Sequence, residues 1–396
     1  MYDMSGFNYD IRDVVHVLNL RIKRKNGSSY DVDCPFCGNR KGKLNVNIIK
    51  NVFRCNYCGE HGGMLDLYSK VFGVSKSEAN RQILDALNLG QYRDDYQVKN
   101  KKLEPPPIKN SEPESEIEIS KTYSHMLSLL TLNQKHREDL EKRGLSISQI
   151  EEQRFRSVPL FGVKSMVEKL IDSGCTVQGV PGFYLDEDGK WTANFSAKNS
   201  GILIPIISFG GYVQGFQIRL DHVTDSRKYI WFSSTNSHFG VSSGSPVHVI
   251  GDRSAKILYV TEGALKGTIA HYMTGHTFVC AAGVNQHRNL KPVLEAFKQS
   301  GTETVVEAYD MDKKLKIDCD RHYSKCKTCS HTGNPQVCPY KAEKRRIIQN
   351  GCQKVYEICQ EFSLNVHRCV WDMDENGEWN GRIKGIDDYV YSEKRR

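Results

Sequence analysis

The chain has 396 residues, enough for two or three domains that each bury a core. Its 39% hydrophobic and 26% charged content is ordinary for a soluble protein, and no apolar run is long enough to span a bilayer, which argues against any membrane partner. The start, MYDMSGFNYD, has acids where a secretory leader has basic residues, so the expected compartment is the cytoplasm. The net charge of +8 is unevenly placed: nine Lys/Arg lie between Arg21 and Glu60 against three acids. Such a cluster suits a polyanion, because each neutralised phosphate releases a counterion, although a merely solvated basic face has the same composition.

Residues 9–22 show helical spacing of apolar side chains, and residues 30–60 read as short strands between Gly and Asn turns. Two amphipathic helices follow within Gly62–Leu89, the second opened by a Ser75/Glu78 capping-box signature. Residues 96–121, with three consecutive prolines and many Lys and Glu, read as a flexible linker. Helical segments then run to about Gln153, followed by a strand-rich section whose clearest hairpin turns at Gly210-Gly211. From Lys256 onward, short apolar runs alternate with helix-length segments, which predicts a parallel three-layer α/β sheet.

Thirteen cysteines in a chain without a secretory leader point to metal binding more than to disulfides. Cys34-x2-Cys37 and Cys55-x2-Cys58, seventeen residues apart, have the spacing of a structural zinc site. Two residues between thiolates let one tight turn present both sulfurs to a tetrahedral ion, and Gly38 and Gly59 permit such turns. A redox dithiol pair is the weaker alternative. Between the pairs, Arg40, Lys41, Lys43 and Arg54 are candidate contacts to nucleic acid. On an alternating hairpin, basic and aromatic groups would share one face and meet single-stranded DNA by phosphate pairing and base stacking. Phe53 is open to two readings, a stacking platform or a core aromatic.

The run CPFCGNRKGKLNVNIIKNVFRCNYCGEHGGMLDLYSKVFG resembles the zinc-binding domain of bacterial DnaG-type primases and of phage primase-helicases. It shares the Cys-Pro-Phe start, the aromatic near the third cysteine and the Gly-Gly ending before an acidic helix. Many DnaG proteins have His at the second ligand, and Cys37 is nearer the four-cysteine phage variant. The resemblance implies a ribbon that reads the template where priming begins.

Glu262 follows the apolar run ILYVT, and Asp310-Met311-Asp312 follows TVVEAY, 48 residues on. Carboxylates at the carboxyl ends of neighbouring parallel strands converge where open α/β sheets place ligands. Close acids repel and call for hard cations, magnesium or manganese, of which two can serve an in-line displacement at phosphorus. The alternative is that Asp310 and Asp312 cap the next helix.

This order of acids resembles the Toprim domain of primases, topoisomerases and related nucleases. The resemblance implies Glu262 as acid/base or metal ligand and Asp310 and Asp312 as metal ligands. Asp387 would supply a third acidic position in KGIDD, with Asp388 a weaker candidate. DLEKRGLSISQIEE, GILIPIISFGGYVQGFQIRL and RKYIWFSS are similar to segments of the primase catalytic core, which makes Arg219 and Lys228 candidates for nucleotide or primer-template contacts. Arg219 is equally readable as an ordinary surface cation. The family has an aspartate four residues after the glutamate, where this chain has Lys266, a residue suited to a triphosphate. That variant resembles proteins carried by phages, plasmids and integrative elements.

Cys319, Cys326, Cys329 and Cys338 form a second cluster, C-x6-C-x2-C-x8-C, able to hold another zinc in preference to an iron–sulfur cluster. His322 and His331 are substitute ligands, and free thiols in a loop are the plain alternative. Cys175, Cys280, Cys352, Cys359 and Cys369 are unpaired in sequence, and burial is expected for them.

The expected fold is a multidomain α+β chain. It comprises a zinc-ribbon domain over 1–95, the linker 96–121, a mixed α/β primase-core-like region over 122–250 and a Toprim-like α/β domain over 251–396. The last contains a parallel sheet and a Cys-rich insertion at 318–340. The expected function is synthesis of short RNA primers from ribonucleoside triphosphates on single-stranded DNA, with zinc and magnesium or manganese. No G-x-x-x-x-G-K-[ST] sequence is present, so a replicative helicase would be a separate partner. A Toprim nuclease and a non-catalytic zinc-ribbon replication factor are the alternatives.

Overall fold

Asp10 starts the first helix, α1 (Ile11–Val17), by accepting the Arg12 amide while Asp13 accepts the amide of Asp10 in return. The computed structural model describes residues 9–87, 110–224, 227–319, 329 and 337–394. The chain divides into two units, Met1–Pro107 and Ile108–Arg396.

In the first unit, five strands form an antiparallel meander in chain order. They are β1 (Ile22–Asn26), β2 (Ser29–Val32), β3 (Leu44–Asn47), β4 (Val52–Cys55) and β5 (His61–Gly63). Side chains alternate across the sheet, so Leu44, Val46, Phe53 and Cys55 face a core shared with α1 and two further helices. Those helices are α2 (Met64–Phe72) and α3 (Lys76–Ala86), which contribute Leu67 and Ile83. Ser75 caps α3 through the Glu78 amide, but the Glu78 carboxylate turns to Arg81 and Gln82, so only half of the capping box forms.

The second unit opens inside the stretch expected to be linker. Helix α4 (Glu116–Leu129) starts at the cap Ser115, whose hydroxyl accepts the Glu118 amide, so residues 116–121 are helical. Polar composition hid this: Ile119, Tyr123, Met126 and Leu127 recur at helical spacing and are buried, while Glu116 and Glu118 suit the positive helix start. Residues 96–109 of that stretch lie outside the described residues.

Next come α5 (Gln134–Lys142), α6 (Ile147–Glu152), β6 (Arg156–Ser157), α7 (Val163–Asp172), β7 (Phe183–Leu185) and β8 (Trp191–Ala193). The expected hairpin is present as β9 (Gly201–Ile207) and β10 (Val213–Thr224), turning through Gly211 at φ +85. With β11 (Arg227–Trp231) and β6 they form a sheet of order β11-β10-β9-β6. Its core is aromatic: Tyr123, Phe183, Phe216 and Phe232 meet edge-on or tilted at centroid distances of 4.6–6.3 Å.

The final sheet has the order β12-β14-β13-β15-β16. Its strands are β12 (His248–Ile250), β13 (Ile257–Glu262), β14 (Thr277–Ala281), β15 (Thr304–Glu307) and β16 (Asn365–Arg368). The last four run parallel, as the alternation of runs implied, and β12 pairs antiparallel with β14. Leu258, Val260, Val279 and Val305 face α9 (Leu290–Gln299) and α10 (Pro339–Glu361). Phe278 and Cys280 face the other way, toward α8 (Ala264–Thr274) and α11 (Ile386–Lys394). Helix α8 comes close because residue 267 is glycine: a Cβ there would lie 2.1 Å from Cys280 Sγ. Among the described residues, no helix is long and apolar enough to cross a membrane.

Candidate metal and nucleotide-transfer sites

The turn after β2 and the end of β4 bring Cys34, Cys37, Cys55 and Cys58 together, with all four sulfurs within 4.8 Å of one another. Backbone amides of Tyr57 and Cys58 point at Cys55 Sγ at 3.4 and 3.5 Å, the arrangement that stabilises thiolate in a tight turn. Gly38 and Gly59 have φ of +63 and +81, the left-handed turns expected after each second cysteine. Four sulfurs closing on one point fit a tetrahedral zinc and leave no position for a substrate.

Arg40 and Lys41 are exposed beside this cluster, while Lys43 and Arg54 are half-buried. Across the sheet, the register aligns Arg24, Asp31, Asn45, Arg54 and His61 in one row on the face away from the core. Phe53 is not on that face. It is 1% exposed and stacks on Phe36 at 5.5 Å, so the expected sharing of one face by basic and aromatic groups does not occur. The reason is the period-two alternation of β4: neighbours Phe53 and Arg54 must point to opposite sides.

In the second unit, Glu262 ends β13 and Asp310 follows β15, the strand paired beside it. Gly263, at φ +87, turns the chain into α8, so Lys266 returns over the strand ends one helical turn later. Its Nζ hydrogen-bonds Asp310 Oδ1 and lies 3.8 Å from Glu262 Oε1. Lys384 Nζ lies 3.3 Å from Asp310 Oδ2 and 2.6 Å from Asp312 Oδ2. Lys344 of α10 lies 2.9 Å from Asp312 Oδ1. Neither Asp310 nor Asp312 caps the short turn that follows with its side chain.

Burial and then the charge of Asp310 push the Glu262 carboxyl up to about 7. Asp310 is held below the ordinary carboxylate range: burial works against its charge, but Lys266, the Glu262 hydrogen bond and Lys384 outweigh it. Of the two acids, Glu262 is the one whose surroundings favour holding a proton. Asp387 sits in the first turn of α11, 5% exposed, with its pKa raised by burial and then by Asp388. Its Oδ1 has no hydrogen-bond partner among the described residues, and Arg143 lies 3.9 Å from Oδ2. Asp388 is exposed.

Arg219 on β10 hydrogen-bonds Asp139 and is mostly enclosed, so it is not an ordinary surface cation. Lys228 on β11 is exposed, and partial burial followed by the charges of Arg219, Arg143 and Lys266 holds its pKa below the usual lysine value. Sequence reasoning missed Lys344, Lys384, Arg143 and Asp139. Lys384 begins the KGIDD run that was already singled out, but nothing in one sequence says that it reaches Asp312, 72 positions earlier.

Cys326 of the second cysteine cluster lies outside the described residues, as do His322 and His331. Cys319, Cys329 and Cys338 do not gather into a metal-sized group among the described residues. Cys175, Cys280, Cys352 and Cys359 are buried as expected; Cys369 is only half-buried, near the end of β16 at the sheet edge.

Residues 7–99 match the CHC2 zinc finger family, the zinc ribbon of DnaG. A DNA primase of Clostridium acetobutylicum is 28% identical over 95 residues, 23% of this chain and 16% of that protein. A DNA primase of Lactococcus lactis subsp. lactis is 25% identical over 239 residues, 57% of this chain and 35% of that protein. This chain resembles the DnaG-type DNA primases. The matched stretches thus span about a sixth and a third of those two relatives. The zinc-binding and RNA polymerase domains of the Aquifex aeolicus primase align at a TM-score of 0.48 and 17% identity, over 98% of this chain and 82% of that one.

Proposed function

We propose that this chain is a DNA primase that joins ribonucleotides on single-stranded DNA during replication of a phage, plasmid or integrative element. The observation that carries the reading is the placement of Glu262 and Asp310 at the ends of adjacent parallel strands, in a chain whose first hundred residues match the DnaG zinc ribbon. The four cysteines of that ribbon would hold a structural zinc. The row from Arg24 to His61, with Arg40, Lys41 and Lys43, would follow the template backbone.

The sheet β12-β14-β13-β15-β16 and its flanking helices are read as a Toprim-like domain. Asp310 and Asp312 offer hard oxygen donors that fit magnesium or manganese once their lysines release them, with Glu262 and Asp387 beside them. A bound ion would supply Lewis acidity toward the phosphate being transferred. Glu262, held near neutrality, is suited to take the proton of the attacking 3′-hydroxyl once it has released its own. Arg219 and Lys228 would bind the triphosphate of the incoming ribonucleotide. A replicative helicase would be a separate partner.

Purified protein given single-stranded templates, labelled ribonucleotides and magnesium should make short labelled oligoribonucleotides. Asp310→Asn should lower the yield on the order of 100-fold or more. Metal-dependent loss of the DNA in place of product would favour a Toprim nuclease. Tight DNA binding with neither product nor cleavage would favour a non-catalytic replication factor.

A further inference from the structure

The acidic cluster carries its own cations. Each of the four carboxylate oxygens of Asp310 and Asp312 has a lysine Nζ beside it: Lys266 and Lys384 on Asp310, Lys344 and Lys384 on Asp312. The three lysines are not equivalent. Lys384 is 48% exposed at its side chain and stands outside the helices, so it can swing into solvent. Lys344, on α10, is enclosed about as much as Lys266, with side-chain exposures of 28% and 25%. Lys266 is rooted in the first turn of α8, against the sheet, and bridges Glu262 and Asp310 across the two strand ends. Gly267, pressed on Cys280, fixes the backbone next to it.

We infer that the Lys266 ammonium is a resident cation of this site, occupying the Glu262–Asp310 edge in place of a divalent ion. The site then takes up one divalent cation, between Asp310 Oδ2 and Asp312 Oδ2, when Lys384 moves away. The inference rests on the metal-site reading above and proposes one ion where the sequence led us to expect two. Its physical basis is charge: a divalent ion on the Glu262–Asp310 edge would sit against the Lys266 ammonium, which already pairs with both acids. Lys266 is here a positioning residue that holds two acids in register without contacting the reacting atoms.

The test is a manganese titration of the full, zinc-loaded chain, with free Mn2+ followed by electron paramagnetic resonance. The native chain should bind one Mn2+ that Asp310→Asn loses. Lys266→Met should bind a second Mn2+, or bind the first at least about tenfold more tightly, and Lys266→Arg should behave as the native chain does. Two Mn2+ in the native chain, both lost in Asp310→Asn, would overturn the inference while leaving the metal site standing. So would a folded Lys266→Met with unchanged stoichiometry and affinity. Equal binding by the native chain and Asp310→Asn would remove the metal-site reading itself. Because the native stoichiometry is decisive alone, the test survives a variant that fails to fold.

Discussion

His248 shows how much one buried side chain can settle. Its Nδ1 accepts the Ile207 amide at 3.0 Å, and its Nε2–H meets Thr268 Oγ1 at 3.3 Å, a hydroxyl already committed as donor to Ala264 O. Only the neutral Nε2–H tautomer satisfies both contacts, since a proton on Nδ1 would face the Ile207 N–H. Burial first, then Arg253 and His271, push the pKa down to about 3 from 6.5. The unfolded chain therefore binds this proton at a higher pH than the folded one. The stability it confers is present above pH 6.5 and drains away as pH falls toward 3, by about 1.4 kcal/mol per unit. Urea midpoints should fall between pH 6.5 and 5, and His248→Asn should flatten that slope. An equally steep slope in the variant would mean that other groups carry the dependence.

At the scale of elements, the turn bearing Asp310 and Asp312 is pinned from below. Glu307, at the end of β15, is fully buried and accepts the Tyr309 amide, Lys313 Nζ at 2.7 Å and the Tyr356 hydroxyl at 2.7 Å. Lys313 is 1% exposed and also donates to Cys369 O beyond β16. The pair thus brackets the D-x-D turn between two points of the sheet. Removing one partner leaves a buried charge, so Lys313→Met should cost about 3 kcal/mol or more. The double change with Glu307→Gln should cost less than the sum of the single ones, as a double-mutant cycle by urea unfolding would read. Additive losses would show that the two groups do not support each other. None of this was visible in sequence. Lys313 reads there as one of several surface cations, because nothing local reveals that its chain passes under Trp371.

For the molecule as a whole, the two units differ in what holds them. The second has several apolar clusters, while the first is small and closes around four cysteines. In such a domain the binding free energy of zinc is folding free energy. Zinc chelation should therefore abolish the folding transition of residues 9–87, and the calorimetric transition of the second unit should stay where it was. Coincident loss of both transitions would refute this independence.

Sequence by itself determined the parts whose chemistry is local. Paired cysteine spacing with glycines after each pair specified the zinc ribbon, and apolar runs alternating with helix-length segments specified the parallel sheet. Glu262 and the D-x-D pair were legible because they directly follow apolar strands. Tertiary structure decided what depends on distant residues meeting. Helix α4 begins inside a polar stretch because its buried face is completed by α7 and β10, which come later in the chain. Phe53 joins the core because its neighbour in β4 takes the outer face. Most of all, the ion pairing of the acidic site depends on Lys266, Lys344 and Lys384, which are far apart in the chain and become counterions only when α8, α10 and the segment before α11 close over the same strand ends.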